Sequence, residues 1–207
     1  MEIFRMPSAP IPDATASPLR LAIETARRAE AMGLGRTADV VPYDAAGLQR
    51  LARRIERAGI ARDAVRALAN VEAPAPAELA ELLTMVIAAL EASPAPVYEW
   101  KAISTVFDSE QLASLLGVSF SSLRRYQSGA RATPDDVAAR LHWLALIVGD
   151  LAGTYNEIGI RRWFDRRRTA LDGKSPASLL RGDWAPEDPG PQRVRALAQS
   201  LVSLAST

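Results

Sequence analysis

Apolar residues recur at helical spacing along most of the chain, a pattern that predicts an all-α (mainly α) protein. Residues 1–16 carry three prolines and little periodicity, the mark of an extended or disordered arm. Ser17-Pro18 is a cap followed by proline at the first helical position, and Leu19, Ala22, Ile23, Ala26 and Met32 continue an amphipathic helix to near Gly33. Asp44 is placed to cap a second helix with Leu48, Leu51, Ala52 and Ile55 inward, Arg50, Arg53, Arg54 and Arg57 outward, and a stop at Gly59. A third helix runs through Val65 and Leu68. From Pro76, the residues Leu79, Leu82, Leu83, Val86, Ile87 and Leu90 make the most apolar helix, wide enough to be covered on two sides, as the centre of an N-terminal bundle or as a dimer interface. Ser93-Pro94-Ala95-Pro96 is the linker candidate, so residues 17–93 form an N-terminal helical region.

After the linker, VYEWKAISTVF fits two periods. Val97, Trp100 and Ile103 suit a helix; Tyr98, Trp100 and Ala102 suit a strand, and the pattern leaves both open with a slight preference for helix. The segment Asp108–Pro134 then has a distinct design. Leu112, Ala113 and Leu116 share one helical face, Gly117 breaks it, and Val118, Leu123 and Tyr126 give the next element its apolar face, which predicts a helix-turn-helix. Gly117 tolerates the positive φ of the turn, and Ser119 caps the second helix. Ser121, Ser122, Arg124, Arg125 and Gln127 are left pointing outward, all able to donate hydrogen bonds and none acidic, a surface suited to the major groove of DNA.

Thr133-Pro134-Asp135-Asp136 predicts a further helix with a threonine cap and proline at its first position, carried by Val137, Leu141, Leu144 and Val148 to about Gly149. A helix from Asn156 to about Arg168 has Ile160, Trp163 and Phe164 on one side and five arginines around the rest. Ala170–Gly173 turns, Ser175-Pro176 caps a short helix ending at Leu179-Leu180, and Gly182-Asp183-Trp184 closes it. APEDPGP is a loop, and Pro191 opens a last helix through Val194, Leu197, Ala198, Leu201 and Leu204. The predicted division of this half is 97–150 for the helix-turn-helix domain and 151–207 for a small helical domain.

Composition narrows the function classes. The formal charge of +1 gives no whole-chain case for nucleic acid, and residues 1–100 hold 11 Lys/Arg against 13 Asp/Glu. The basic character is local: Arg124, Arg125 and Arg131 stand in residues 119–131 without a carboxylate, and RRWFDRRR at 161–168 has five arginines against Asp165. Five like charges on two helical turns repel one another, so an acidic partner or phosphates would explain the cluster, while a solvated face is the plainer alternative. With no cysteine and a single histidine, disulfides, thiolate chemistry and an ordinary zinc site are excluded. His142 is expected to be structural, since no carboxylate–nucleophile set accompanies it. No Gly-rich phosphate loop or nucleophile–base pair is present, so neither enzyme nor cofactor is expected. No apolar run approaches the roughly 18–20 residues of a membrane span, and MEIFRMPSAPIPDA lacks the blocks of a secretion signal, so the expected location is the cytoplasm.

Two segments resemble a known family. QLASLLGVSFSSLRRYQSGARATPDDVAARL resembles the Xre-type helix-turn-helix, including Tyr126, Ser128-Gly129 and the Arg131…Pro134 approach to the next helix. RRWFDRRRTALDGKSPASLLRGDW followed by RVRALAQSL resembles the C-terminal toxin-binding domain of the Xre/MbcA/ParS antitoxins, and the two modules stand in the family's order. The likeness covers about residues 100–204. It implies a RES-domain toxin, an enzyme that consumes NAD⁺, as the partner to be neutralised, and autoregulation of transcription through DNA binding. The Asp165–Arg168 run, Asp172 before the glycine and the long N-terminal extension depart from the family's pattern.

The leading expectation is therefore a non-catalytic antitoxin of a type II toxin–antitoxin system. Ser119, Ser121, Ser122, Arg124, Arg125, Gln127 and Arg131 would contact a palindromic operator as a homodimer. Arg161, Arg162, Trp163, Arg166, Arg167, Leu171, Lys174, Pro176, Leu180 and Trp184 would contact the toxin. The alternatives are a stand-alone repressor or nucleoid or partition factor, in which the arginine run is a second DNA contact, and a structural adaptor that binds no DNA. The residues alone leave Trp163, Phe164, Leu171, Leu179, Leu180 and Trp184 equally open to being a small hydrophobic core.

Overall fold

The structure, a computed structural model, describes residues 16–35, 45–70 and 74–204. The arm predicted at 1–16 and the Asp44 cap lie almost wholly outside them, as does the side chain of Ser17, whose backbone is already helical, so Ser17 does not stand at the predicted cap position. All regular structure among the described residues is helical; the only extended pairing there is a single antiparallel bridge between Arg168 and Lys174. The fold is all-α. Two compact units are present, one of Met1–Ala29 with Leu34–Ser93, the other of Glu30–Gly33 with Pro94–Thr207. No single helix among the described residues is long and apolar enough to cross a membrane.

The first unit contains most of α1 (Ala16–Ala31), then α2 (Ala45–Arg57), α3 (Arg62–Asn70) and α4 (Pro76–Ala92). The predicted inward faces are the buried ones: Leu48, Leu51, Ala52 and Ile55 on α2, Val65 and Leu68 on α3. On α4 the buried stripe is narrower than its composition suggests. Leu79, Leu83, Val86 and Leu90 fill one face at i, i+4, i+7 and i+11, Leu82 and Ile87 are half-buried, and Met85 is exposed. Arg28, almost fully buried on α1, pairs with Glu24 at 2.7 Å and with Glu91 of α4 at 2.6 Å, which compensates a guanidinium removed from water.

In the second unit α5 (Pro96–Val106) settles the two-period segment as a helix. It is followed by α6 (Ser109–Leu116), α7 (Phe120–Gln127), α8 (Asp135–Leu151), α9 (Glu157–Asp165), a 3₁₀ turn (Thr169–Leu171), α10 (Pro176–Leu179) and α11 (Pro189–Leu204). Residues 97–150 and 151–207, separated on the sequence, thus share one compact unit. Its centre is α8, with α5 and α11 packed against it. Sequence periodicity gave α8 a single apolar face, but nearly every residue from Val137 to Leu151 is buried. Phe107, at the end of α5, meets Phe164 of α9 edge to face at 4.9 Å, and Phe164 meets Trp163 in the same manner at 5.3 Å.

Three boundaries in the second unit differ from the expectation. Thr133 does not cap α8: its Oγ1 accepts the Trp100 indole N–H at 2.9 Å, and Pro134 stands at the cap position ahead of a helix that starts at Asp135. The helix α9 ends at Asp165 rather than near Arg168. Arg168 instead donates its N–H to the Lys174 carbonyl and accepts from Gly173, closing a turn through Asp172 and Gly173, both at positive φ. Arg166, Arg167 and Arg168 are therefore off the helix, and only Arg161 and Arg162 of the five share it. The last helix opens at Pro189, two residues ahead of Pro191.

The polar groups buried on α8 have partners. His142 Nδ1 lies 2.6 Å from Glu99 Oε1 of α5, a buried pair that links α5 to α8. Glu99 is fully buried and its second oxygen has no hydrogen-bond partner among the described residues. Burial raises its pKa above the usual carboxylate value, with the His142 contact opposing. A carboxyl whose folded pKa is raised holds more protons than its unfolded counterpart between the two values, so its contribution to stability falls as pH rises through that window. Glu99→Gln, which keeps the shape and cannot ionise, should remove this component. Urea unfolding at a series of pH values should show the difference between wild type and variant growing in the variant's favour from about pH 4.3 upward; parallel curves would reject it.

Candidate nucleic-acid interface

The basic surface without a carboxylate that the sequence singles out at residues 119–131 lies on α7 and its exit, preceded by α6 and a short turn. Asp108 caps α6 by accepting the Gln111 N–H at 2.8 Å, and Leu112, Ala113, Leu115 and Leu116 face the core. Gly117 then takes φ 66°, and the chain turns through Val118 into α7. A Cβ on Gly117 would overlap the carbonyl of Gly182, so the position needs glycine for close approach as well as for its dihedral. Ser119 caps α7, its Oγ accepting from the Ser122 N–H at 3.2 Å.

The C-terminal end of α6 is fully satisfied without water. Ala113 and Ser114 carbonyls accept from the Gly117 N–H, and Ala113 also accepts from Val118 at 3.0 Å. The Leu115 carbonyl accepts the Trp184 indole N–H at 2.8 Å, and the Leu116 carbonyl accepts Arg140 Nη1 at 2.8 Å. Arg140 is itself buried on α8; Asp136 and Asp183 each lie 2.8 Å from Nη2, while Nε has no hydrogen-bond partner among the described residues.

On α7, Leu123 and Tyr126 are buried, and Tyr126 stacks with Trp100 of α5 at 6.2 Å between centroids. The outward face carries Phe120, Ser121, Arg124 and Arg125, all exposed, with Arg131 exposed beyond the helix and its guanidinium 5.6 Å from the centre of the Tyr126 ring. Two predicted contacts have other work. The Ser119 hydroxyl is the cap and also bonds the Ser121 and Ser122 hydroxyls, and Gln127, half-buried, donates its amide to Ser104 of α5 at 2.9 Å. Ser122 is half-buried. Phe120 was not singled out from the sequence, although its place one residue after the cap could have flagged it.

The residues expected to meet a toxin separate into two groups. Trp163, Leu171, Pro176, Leu180 and Trp184 are buried within this unit, with Trp163 only 2% and Leu180 0% exposed, so they are core and cannot be covered by a partner while the fold is intact. Arg162, Arg166, Arg167 and Lys174 are exposed, and Arg161 is half-buried. A shallow groove of about 420 Å³ beside the start of α6 is lined by Asp108, Glu110 and Asp165 together with Arg161 and Arg181, so its charges largely offset. A second, of about 390 Å³, is acidic, with Asp136, Asp183, Glu187 and Asp188. Among the described residues no group of three or more His, Asp or Glu is placed to hold a metal ion.

Because Trp184 supplies the donor to the Leu115 carbonyl among the described residues, Trp184→Phe should cost about 1–3 kcal/mol, the penalty of a buried carbonyl left unpaired. Gly117→Ala should cost at least about 1–2 kcal/mol from its dihedral alone. Denaturant unfolding of both variants checks this; a change below 0.5 kcal/mol on an approximate scale of surface substitutions would mean that the α6 end is not so constrained.

A scan against protein-family models, a search of curated proteins and a search of solved structures each returned no match.

Proposed function

We propose that this chain is a non-catalytic DNA-binding regulator in which α6 and α7 act as a helix-turn-helix, α7 lying in the major groove. The observation that carries the reading is the outward face of α7 and its exit: Ser121, Arg124, Arg125 and Arg131 are exposed, and residues 119–131 contain no carboxylate. Arg124 and Arg125 are suited to guanine O6 and N7, Ser121 to a phosphate or base edge. The N-terminus of α7 adds its positive dipole end toward a phosphate backbone. One helix of this length makes few base contacts, so a homodimer on a palindromic operator with half-sites about one helical turn apart fits the size of the surface.

The antitoxin reading is the more specific form of the proposal. It draws on the resemblance of residues 100–204 to the Xre/MbcA/ParS antitoxins and on one surface observation, the exposed cations Arg162, Arg166, Arg167 and Lys174. On this reading those four, with half-buried Arg161, meet an acidic surface of a RES-domain toxin, while Trp163, Leu171, Pro176, Leu180 and Trp184 shape the backbone that presents them. A cytoplasmic location follows from such a role.

Two measurements test the proposal. Arg124→Ala combined with Arg125→Ala should weaken binding to a selected operator about 100-fold, since each arginine–guanine pair is worth about 1–3 kcal/mol, with unfolding unchanged because both side chains are exposed. Retained affinity at matched salt would reject α7 as the recognition helix. Arg166→Ala combined with Arg167→Ala should leave the salt slope of operator binding as it is and abolish a salt-resistant complex with the toxin. A slope reduced by close to 0.9 per arginine would instead identify these side chains as phosphate contacts and favour a stand-alone regulator.

A further inference from the structure

Phe120 is the one side chain on the outward face of α7 that the hydrogen-bonding account leaves without a task. It is 53% exposed, whereas Leu123 and Tyr126, the other large apolar residues of the helix, are buried. At about 100° per residue, Phe120, Arg124, Ser121 and Arg125 fall within an arc of about 140°, and Leu123 and Tyr126 lie outside it. The ring is therefore on the same face as the two arginines. It is also the first residue of α7, directly after the Ser119 cap, and in a docked helix-turn-helix the N-terminal residues of the second helix are the ones that reach base edges. The Arg124 guanidinium lies 6.0 Å from the ring centre, against one side of it.

A phenyl ring offers no hydrogen bond, and the major groove displays one apolar group, the 5-methyl of thymine. We infer that Phe120 is a specificity residue that packs on the 5-methyl group of a thymine in each half-site, beside a base contacted by Arg124. The inference rests on the DNA-binding reading above and adds to it a named base feature that the polar residues of α7 do not recognise. The contact desolvates a ring edge and a methyl group that water otherwise surrounds, so its worth is set by apolar area and carries little salt dependence.

The test uses the full-length chain. Duplexes are selected from a randomised pool, and each thymine of the preferred sequence is then replaced in turn by deoxyuridine, which removes only the methyl group. One thymine per half-site should lose about fourfold in affinity on replacement, the worth of one buried methyl. Phe120→Ala should bind the thymine and deoxyuridine duplexes equally at that position, with an unchanged salt slope and an unchanged urea midpoint. If no replacement weakens the wild type, or if Phe120→Ala remains sensitive to the same replacement, the inference is overturned while an operator still lost by Arg124→Ala with Arg125→Ala keeps the DNA reading. If no sequence is enriched and the double arginine variant binds DNA as the wild type does, both fall together. A Phe120→Ala variant that changes oligomeric state but not base preference assigns the ring to a protein contact and also overturns the inference.

Discussion

The last four carbonyls of an α-helix have no partner inside it, and how they are satisfied decides what can lie next to a helix end. In this protein the end of α6 is closed from three directions: by the backbone of Gly117 and Val118, by Trp184 on Leu115, and by Arg140 on Leu116. Each closure constrains something else. The charge of buried Arg140 is compensated by Asp136 and Asp183, and Asp183 belongs to the same short loop as Trp184. The approach of Gly182 leaves no room for a side chain on residue 117. The turn that aims α7 is thus set as much by residues 182–184 as by its own sequence.

This arrangement couples the two segments that the sequence presents as separate modules. Residues 181–184 follow α10, and α10 packs on α9, which carries Arg161 and Arg162 and leads into Arg166–Arg168. The Asp172–Gly173 turn is held in place by Arg193 of α11, which donates to Asp172 and to the Ala170 carbonyl; that contact keeps the Asp172 carboxyl below its usual pKa. A ligand on the exposed cations would bear on the α6 end only by way of these buried contacts. The same cations are better separated than a continuous helix would make them, because α9 stops at Asp165 and the remaining three arginines follow an extended path to the Lys174 bridge. Repulsion within the cluster is correspondingly smaller than five charges on two helical turns would give.

What the sequence made legible is what depends on neighbours within a few residues. The Ser119 and Ser175 caps, the breaks at Gly59 and Gly117 and the proline start of α4 follow from rules with a range of three or four positions. The misplacements have a longer range. Thr133 has every local qualification for a cap, but the Trp100 indole 33 residues away takes its oxygen. Gln127 shows the outward-facing spacing of a base-reading residue, but Ser104 on α5 receives its amide. The end of α9 was invisible because arginines are good helix formers, and the bridge to Lys174 is a pairing no periodicity reports. The tryptophans were ambiguous in principle, since the composition that serves a partner surface also serves a small core; 2% exposure for Trp163 and 6% for Trp184 decide it for the core.

On the proposed DNA-binding reading, committing the Ser119 hydroxyl to the cap and the Gln127 amide to Ser104 changes the chemistry that the outward surface offers. Both are amphoteric, able to donate or accept, and both could have matched several base edges. Without them α7 presents two guanidiniums, one serine hydroxyl and one phenyl ring within a single arc. Guanidiniums only donate and so favour guanine, and a phenyl ring favours only the apolar edge of thymine, so the surface is narrower in what it accepts than a polar face would be. Adenine and cytosine, which call for an acceptor or an amide at the groove, would find little on this face beyond Ser121. If α7 reads DNA as proposed, the internal hydrogen bonds that tie it to α5 and the turn would therefore also restrict that recognition, and the restriction would arise from residues whose spacing alone had assigned them to DNA.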